Sequence, residues 1–280
     1  MVRKPIYSGT FYASNFEQLE IQLKEAFKNG PGSLPKKEIK KKEIKGAISP
    51  HAGYMYSGDA AAHIYKEIFE SEIPETIIFI GPNHTELGYN SILLESFSTP
   101  LGDIKIDMEF AKALILEANL SDNSLAHLKE HSIEVQLPFL QFISKNTKIV
   151  PIIVSECDYK KIGNAIKNIA KEQNKKIIVI ASSDFIHHGY SYGYVKYKKN
   201  ISENVKHLDL IAFEFIKNND ADGFINFVKK EKLSICGMYP IAIMLNAIEF
   251  KESEILSHYT SSDISGDEDF CVDYIAAVFR

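Results

Sequence analysis

AISPHAGYMYSG, residues 47–58, is the stretch from which the fold is best predicted. The apolar residues 46–48 have the character of a strand that breaks at Ser49-Pro50, and glycine and proline this dense indicate a turn of fixed shape. A helix is predicted to follow over residues 57–71, because apolar side chains recur there at helical spacing. His51 therefore lies between a strand and a helix, where open α/β sheets bind their ligands. For one such histidine, an imidazole that caps the turn is the simpler interpretation.

A second stretch, TIIFIGPNHT at residues 76–85, has the same construction. Its four apolar residues, 77–80, predict a buried strand, which is expected to end at Gly81-Pro82 before His84. Two parallel strands that each end in proline and then histidine direct both imidazoles toward one point above the sheet. Two histidines on rigid strand ends are the beginning of a metal site, so His51 and His84 become candidate ligands.

A third buried strand is predicted over residues 176–182, KIIVIAS, and it too ends in a polar cluster, SSDFIHHG at residues 182–189. Buried strands that alternate with helical segments are typical of α/β proteins. We therefore predict an α/β fold with a central mixed, largely parallel sheet and helices on both faces. The length of 280 residues suits one large domain or two small ones.

The composition argues against several classes of protein. A net charge of -5 and a pI near 6.0 give no sign of a nucleic-acid-binding surface. No apolar run approaches the roughly 18 residues of a membrane span, and the N-terminus lacks the apolar segment of a signal peptide. The three cysteines are widely spaced and odd in number, which favours reduced thiols over a disulfide framework. We expect a cytoplasmic protein with no nucleic-acid or membrane partner.

The segment EHSIEVQLPFLQ, residues 130–141, is less easily interpreted. His127 and His131 are four residues apart, a spacing that can chelate a metal if both lie on one helix. The alternative is a local hydrogen bond between His131 and Glu134. These residues alone favour neither interpretation.

Asp184 and Cys236 are further candidates for chemistry. Asp184 and an imidazole nearby in SSDFIHHG can orient a ligand or move protons, but Asp184 can equally cap a turn. His188 is expected to be exposed. Cys236 precedes Gly237 at a predicted helix entrance, where a thiol can become a reactive thiolate, although most free cysteines are buried and inert.

Five segments in this order resemble the Memo family: SPHAGYMYSG, GPNHT, EHSIEVQLPFLQ, SSDFIHHG and ICGMYPI. Its bacterial and archaeal members are relatives of the eukaryotic mediator of cell motility and are also called AmmeMemoRadiSam system protein B. The resemblance covers nearly the whole chain and implies one Memo-like domain over residues 1–280. Members of the family resemble class III extradiol ring-cleavage dioxygenases in fold, and those enzymes hold Fe(II) with two histidines and one carboxylate.

The resemblance also implies a set of site residues. They are the metal ligands His51, His84 and Cys236, with His131, Asp184 and His187 beside them as catalytic groups. A thiolate in place of a carboxylate softens the site, which favours Cu(I) or Zn(II) and weakens the case for simple catechol cleavage. His131 and His187 are implied to be the general acid and base for a metal-bound ligand.

The resulting hypothesis is a metal-dependent oxidoreductase that holds iron or copper and acts on an aromatic or a modified protein group. One alternative is a protein that binds a peptide or protein partner in the same pocket without turnover. Another is a zinc hydrolase, in which the metal activates a water molecule. The tyrosine-rich surface permits a homodimer, and the name AmmeMemoRadiSam implies a functional link to a radical-SAM enzyme.

Overall fold

The structure is a computed structural model that describes residues 2–37 and 42–280. Its strands are β1 (Val2–Arg3), β2 (Gly46–Ser49), β3 (Thr76–Pro82), β4 (Ser91–Ile92), β5 (Ser96–Thr99), β6 (Gly102–Ile104), β7 (Ser121–Asp122), β8 (Lys148–Val154), β9 (Ile177–Ser182), β10 (His187–His188), β11 (Ser253–Thr260) and β12 (Cys271–Phe279). Its helices are α1 (Phe16–Asn29), α2 (Tyr54–Glu70), α3 (Met108–Ala118), α4 (Ser124–Leu128), α5 (Leu137–Ile143), α6 (Tyr159–Glu172), α7 (Ile201–Lys217), α8 (Ala221–Glu231), α9 (Met238–Ala247) and α10 (Ser261–Ser265).

Within these residues, nine strands form one sheet in the order β10-β12-β2-β9-β3-β8-β4-β7, with β11 also paired to β12. The four strands β2, β9, β3 and β8 are parallel. By contrast, β12 runs antiparallel to β2, and β4 runs antiparallel to β8. A smaller sheet of the described chain joins the three strands β1, β5 and β6. The predicted α/β fold with a mixed, largely parallel sheet is confirmed.

Helices cover both faces of the large sheet, as predicted. On one face α2 packs against β2 and β12 and carries α1 and α5 on its outer side, whereas on the other α9 packs against β9 and β3 beside α6 and α8. Every residue of β2 and β3 is buried. Strands covered on both faces have continuous apolar sequences, which is why these two were recognisable. No helix of the described residues is long and apolar enough to cross a membrane.

Two predicted element boundaries are wrong by a few residues, and distant contacts explain both. Helix α2 begins at Tyr54 rather than at residue 57, and the Tyr54 amide donates a hydrogen bond to the Phe11 carbonyl at 2.8 Å. Strand β3 does not end before Gly81 and Pro82, because both stay paired with the last residues of β8. Neither contact could be predicted from the local sequence, because Phe11 and β8 are distant in the chain from the elements that they extend.

Candidate metal centre and its cavity

The carboxyl ends of three parallel strands carry the polar side chains of this site. His51 follows β2, His84 follows β3 and Asp184 follows β9, each by two residues. The strands β2 and β3 are not neighbours, because β9 lies between them. Nevertheless, the ring centroids of His51 and His84 are 5.2 Å apart. The structure therefore brings the two predicted ligands together above the carboxyl edge of the sheet.

The buried imidazole of His51 is held in one tautomer by a chain of hydrogen bonds. The Ser182 hydroxyl donates its only proton to the Ser132 carbonyl at 2.6 Å, so it must accept from His51 Nδ1, which lies 3.0 Å away. His51 Nε2 is then unprotonated and lies 3.3 Å from Cys236 Sγ. Burial, followed by the charge of His84, holds the pKa of His51 well below its usual range. A neutral imidazole with a free Nε2 lone pair is the form that binds metals.

His84 is oriented by Glu130, a residue that the sequence did not single out. Glu130 Oε1 lies 2.9 Å from His84 Nδ1, and Glu130 Oε2 accepts from the His84 amide at 2.7 Å. Burial lowers the pKa of His84, but its interactions with Cys236 and Glu130 outweigh burial and raise the pKa to about 10. A carboxylate behind a metal-binding histidine is a common arrangement. The position of Glu130 directly before His131 was the available signal.

Cys236 reaches the two histidines because its neighbour is glycine. A Cβ atom on Gly237 would lie 2.1 Å from the Ser183 Cβ, so only glycine lets the entrance of α9 approach the end of β9 this closely. The Gly237 amide donates to the Ser183 hydroxyl at 3.1 Å. Burial raises the pKa of the Cys236 thiol, and its interaction with His84 offsets this only in part. The protein alone therefore does not lower this pKa, whereas a bound metal deprotonates a thiol outright.

The ligand atoms of His51, His84 and Cys236 all lie within 4.8 Å of one another. Nitrogen and sulfur ligands about 2.1 and 2.3 Å from an ion are about 3.6 Å apart at the tetrahedral angle, close to the 3.3 Å between Cys236 Sγ and His51 Nε2. These three residues therefore fit a metal ion. His84, Glu130 and His131 form a second close group, but Glu130 is already occupied by hydrogen bonds to His84 and to the Ser132 amide.

His131 lies beside the three ligands, and both local interpretations of its neighbourhood are wrong. Helix α4 ends at Leu128, so His127 and His131 do not share a helix, and Glu134 pairs with Arg3 instead. The His131 ring stacks on His84 with centroids 4.5 Å apart and lies 5.2 Å from His51. Burial, followed by the interactions with the neighbouring His51 and His84, lowers the pKa of His131 to about 2, so it is a neutral imidazole.

Asp184 and His187 form the opposite side of the centre. Asp184 Oδ1 accepts from the His51 amide at 2.8 Å. The buried carboxylate therefore fixes the turn that carries His51 and does not cap the turn in which Asp184 itself lies. His187 Nδ1 donates to the Ser234 carbonyl at 2.9 Å, and its Nε2 lies 4.0 Å from Asp184 Oδ2. His188, expected to be exposed, is 1% exposed and points away from this group: its Nε2 accepts from the Tyr197 amide.

A cavity of about 580 Å³ opens above the six predicted site residues. Its other walls are mainly aromatic or apolar: Phe11, Met55, Tyr56, Tyr192, Phe270, Val272 and Tyr274. No lysine or arginine of residues 2–37 and 42–280 lines it. A concave, mostly apolar space with a few convergent polar groups is typical of a small-molecule site.

A family model for Memo-like proteins matches residues 3–278 of the chain. The chain belongs to the Memo family. A MEMO1 family protein of Methanopyrus kandleri is 37% identical over 292 residues, which cover 100% of this chain and 99% of that protein. One from Sulfurisphaera tokodaii is 39% identical over 293 residues with 100% and 99% coverage, and one from Methanosarcina mazei is 36% identical over 285 residues with 99% and 98% coverage. The predicted family is confirmed.

The N-terminal segment of this Memo-family chain is anchored behind the site by a buried ion pair. Arg3 Nη1 lies 2.7 Å from Glu134 Oε2, and Arg3 also donates to the carbonyls of His127 and Glu130, at 2.7 Å each. Glu134 Oε1 accepts in turn from the Tyr12 hydroxyl at 2.8 Å. The pair thus fixes the backbone of Glu130 from behind. Sequence reasoning did not find this link, because its partners are more than 120 residues apart.

Replacing Glu130 with glutamine in this Memo-family site is expected to weaken metal binding by about 10- to 100-fold, because a neutral amide orients His84 less firmly. Competition between the protein and a chromophoric chelator for Zn(II) measures the change. Glu109→Gln, an exposed change on α3, is the control and should leave the affinity unaltered. An affinity for Glu130→Gln within twofold of the wild type would show that Glu130 does not support the metal.

Proposed function

We propose that this Memo-family protein is a metal-dependent oxidoreductase that holds iron or copper on His51, His84 and Cys236 and acts on a small aromatic substrate. The observation that carries the proposal is the ligand geometry. Two imidazoles and one thiol converge within 4.8 Å. Both imidazoles are oriented by a hydrogen bond at Nδ1, and His51 Nε2 faces the thiol. Two histidines and one anionic ligand leave coordination positions open, and the thiolate favours a soft or redox-active metal.

The chemistry expected of the bound ion is to accept or donate electrons and to place positive charge beside the substrate. His187 is suited to be the base for a substrate hydroxyl. Its Nδ1 proton is committed to Ser234, so Nε2 receives the incoming proton, and the nearby Asp184 carboxylate stabilises the imidazolium that forms. Asp184 is 4% exposed, which strengthens this electrostatic effect because water is excluded.

His131 is suited to act from the other side of His51. Its ring is neutral and lies against Phe11, with centroids 5.0 Å apart, and against Tyr7 at 5.3 Å. The nearest acidic oxygen is Glu130 Oε1, 3.4 Å from His131 Nδ1. A neutral imidazole held in this way can hydrogen-bond a reacting oxygen. The ligand set thus has a base on one side, His187, and a neutral hydrogen-bonding imidazole, His131, on the other.

The cavity walls support an uncharged aromatic substrate. Tyr192 packs edge-on against His187 with centroids 5.0 Å apart and lies 4.8 Å from Phe270. Aromatic walls of this kind favour flat rings through stacked or edge-to-face contacts. An anionic group on the substrate would have no lysine or arginine to meet among the described lining residues, and Asp184 would repel it.

The test is oxygen consumption by protein loaded anaerobically with Fe(II) or Cu(I) and then mixed with mono- and dihydroxylated benzenes. We expect uptake above that of the free metal, lost in His187→Gln while the metal content stays unchanged. Uptake equal to the free-metal control for every compound would contradict the oxidoreductase. Ester or amide cleavage supported by Zn(II) alone would replace it with a hydrolase. Peptide binding that needs the pocket but no metal would replace it with a binding protein.

A further inference from the structure

Two aspartates in the core beneath the site have no part in the chemistry described so far. Asp209 lies on α7 and Asp273 on β12, and both are 0% exposed. Asp209 Oδ2 accepts from the Ile186 amide at 3.0 Å, and Asp273 Oδ2 pairs with His258 Nε2 at 2.8 Å. The Oδ1 atom of each has no hydrogen-bond donor in the part of the chain that the structure describes, although the two carboxyl groups are hydrogen-bonding neighbours.

One proton placed between the two Oδ1 atoms satisfies both of them. Two ionised carboxylates in contact away from water repel each other, so one stays protonated. The surroundings offer little compensation. His258 on β11 faces Asp273. Burial raises the pKa of two further titratable groups beside Asp209, Cys271 and Tyr194, and keeps both neutral. Burial and then the charge of Asp273 raise the pKa of Asp209 well above its usual range.

The pair is hydrogen-bonded directly to the segment between β9 and β10, which leads from Asp184 to His187. The Phe185 amide donates to the Asp273 carbonyl at 2.9 Å, and the Asp273 amide donates to the Ile186 carbonyl at 3.0 Å. Together with the bond from Ile186 to Asp209, these contacts hold residues 185 and 186 from α7 and from β12. Residues 184 and 187, on either side, face the cavity.

We propose that Asp209 and Asp273 share one proton, and that this acid pair positions the 184–187 segment from outside the cavity. The two aspartates are then positioning residues for Asp184 and His187. The roles of Asp184 and His187 rest on the proposed function, whereas the shared proton does not. The shared proton is measured without metal or substrate. A failure of the shared proton can therefore be distinguished from a failure of the proposed function.

Asp209→Asn tests the shared proton, because an amide keeps both bonds: its oxygen accepts from Ile186 and its nitrogen donates to Asp273. The folded wild type keeps a proton that the unfolded chain releases above about pH 4. Relative to Asp209→Asn, the wild-type folding equilibrium constant is therefore expected to fall by up to tenfold per pH unit from about pH 5 upward. Urea denaturation of both proteins at several pH values measures this difference.

Asp107→Asn is the matched control. Asp107 is also buried, but hydrogen bonds from Thr76 and Lys175 outweigh burial and lower its pKa. Relative to Asp107→Asn, the wild type should gain stability as the pH rises through the acidic range, which is the opposite sign. Parallel pH profiles for the wild type and Asp209→Asn would overturn the shared proton.

Hydrogen exchange of residues 184–188, followed by mass spectrometry, tests the positioning. At pH 7 we expect these amides to be as well protected in Asp209→Asn as in the wild type. In Asp209→Ala we expect them to exchange at least tenfold faster than in the wild type. Exchange in the alanine variant equal to that of the wild type would overturn the positioning role. If Asp209→Ala does not fold, the exchange of residues 184–188 is compared between the wild type and Asp209→Asn at high pH. Faster exchange in the wild type is expected, and equal exchange in the two proteins overturns the positioning role.

Discussion

Cys236→Ala is expected to lower metal affinity by on the order of 10²- to 10³-fold. Structural Zn²⁺ sites with four ligands bind with roughly 10–16 kcal/mol, so one ligand contributes about 2.5–4 kcal/mol. Elemental analysis of protein purified anaerobically should show nearly one equivalent of metal in the wild type and little in the variant. Co(II) loading gives a second measurement, because the thiolate-to-cobalt charge-transfer absorption should disappear.

Cys157→Ala is the matched control, because Cys157 is also a free, partly buried cysteine but does not line the cavity. Burial raises the pKa of Cys157 to about 12, so it should remain an inert thiol. We expect full metal content and an unchanged cobalt spectrum in this variant. Retention of metal by Cys236→Ala, or its loss from Cys157→Ala, would contradict the assignment of the third ligand.

Arg3→Leu is expected to destabilise the protein by about 3–5 kcal/mol, because it leaves the Glu134 carboxylate buried without its partner. The side chains of Arg3 and Glu134 are 5% and 0% exposed, so water cannot replace the lost interaction. The same change releases the Glu130 carbonyl, and metal affinity should fall with stability. Urea unfolding followed by circular dichroism measures the first effect, and chelator competition measures the second.

The double variant Arg3→Leu, Glu134→Leu separates two effects on stability: the loss of the ion pair and the burial of an unpaired charge. It should be more stable than Arg3→Leu, because it buries no isolated carboxylate, but less stable than the wild type, because Tyr12 loses its acceptor. Lys160→Met removes an exposed pair with Asp222 and should have little effect. A double variant less stable than Arg3→Leu would contradict this account.

Much of the fold was predictable because the buried strands are continuous apolar runs that end in glycine, proline or polar residues. His51 and His84 followed from that pattern, since the carboxyl ends of parallel strands lie at one edge of a sheet. Cys236 was different. Its approach depends on contact between Gly237 and Ser183, and only the family resemblance indicated it as a ligand.

The hydrogen-bonded support of the site was not predictable, because its members are brought together by tertiary structure. Glu130 contacts His84 across 46 positions of sequence, and Ser182 contacts His51 across 131. Gln136 donates to both the Pro50 carbonyl and the Ser182 hydroxyl at 2.9 Å. Periodicity reports which face of an element is buried, but it carries no information about which polar groups meet there.

Residues far apart in the chain meet in the cavity wall, and this has a consequence for the order of events during synthesis. Phe11 lines one wall, and Val272 and Tyr274 line another. At roughly 5–20 residues per second, tens of seconds separate the translation of these parts. His51 and His84 leave the ribosome long before Cys236. A metal ion held by all three residues can therefore gain its third ligand only after Cys236 has been made.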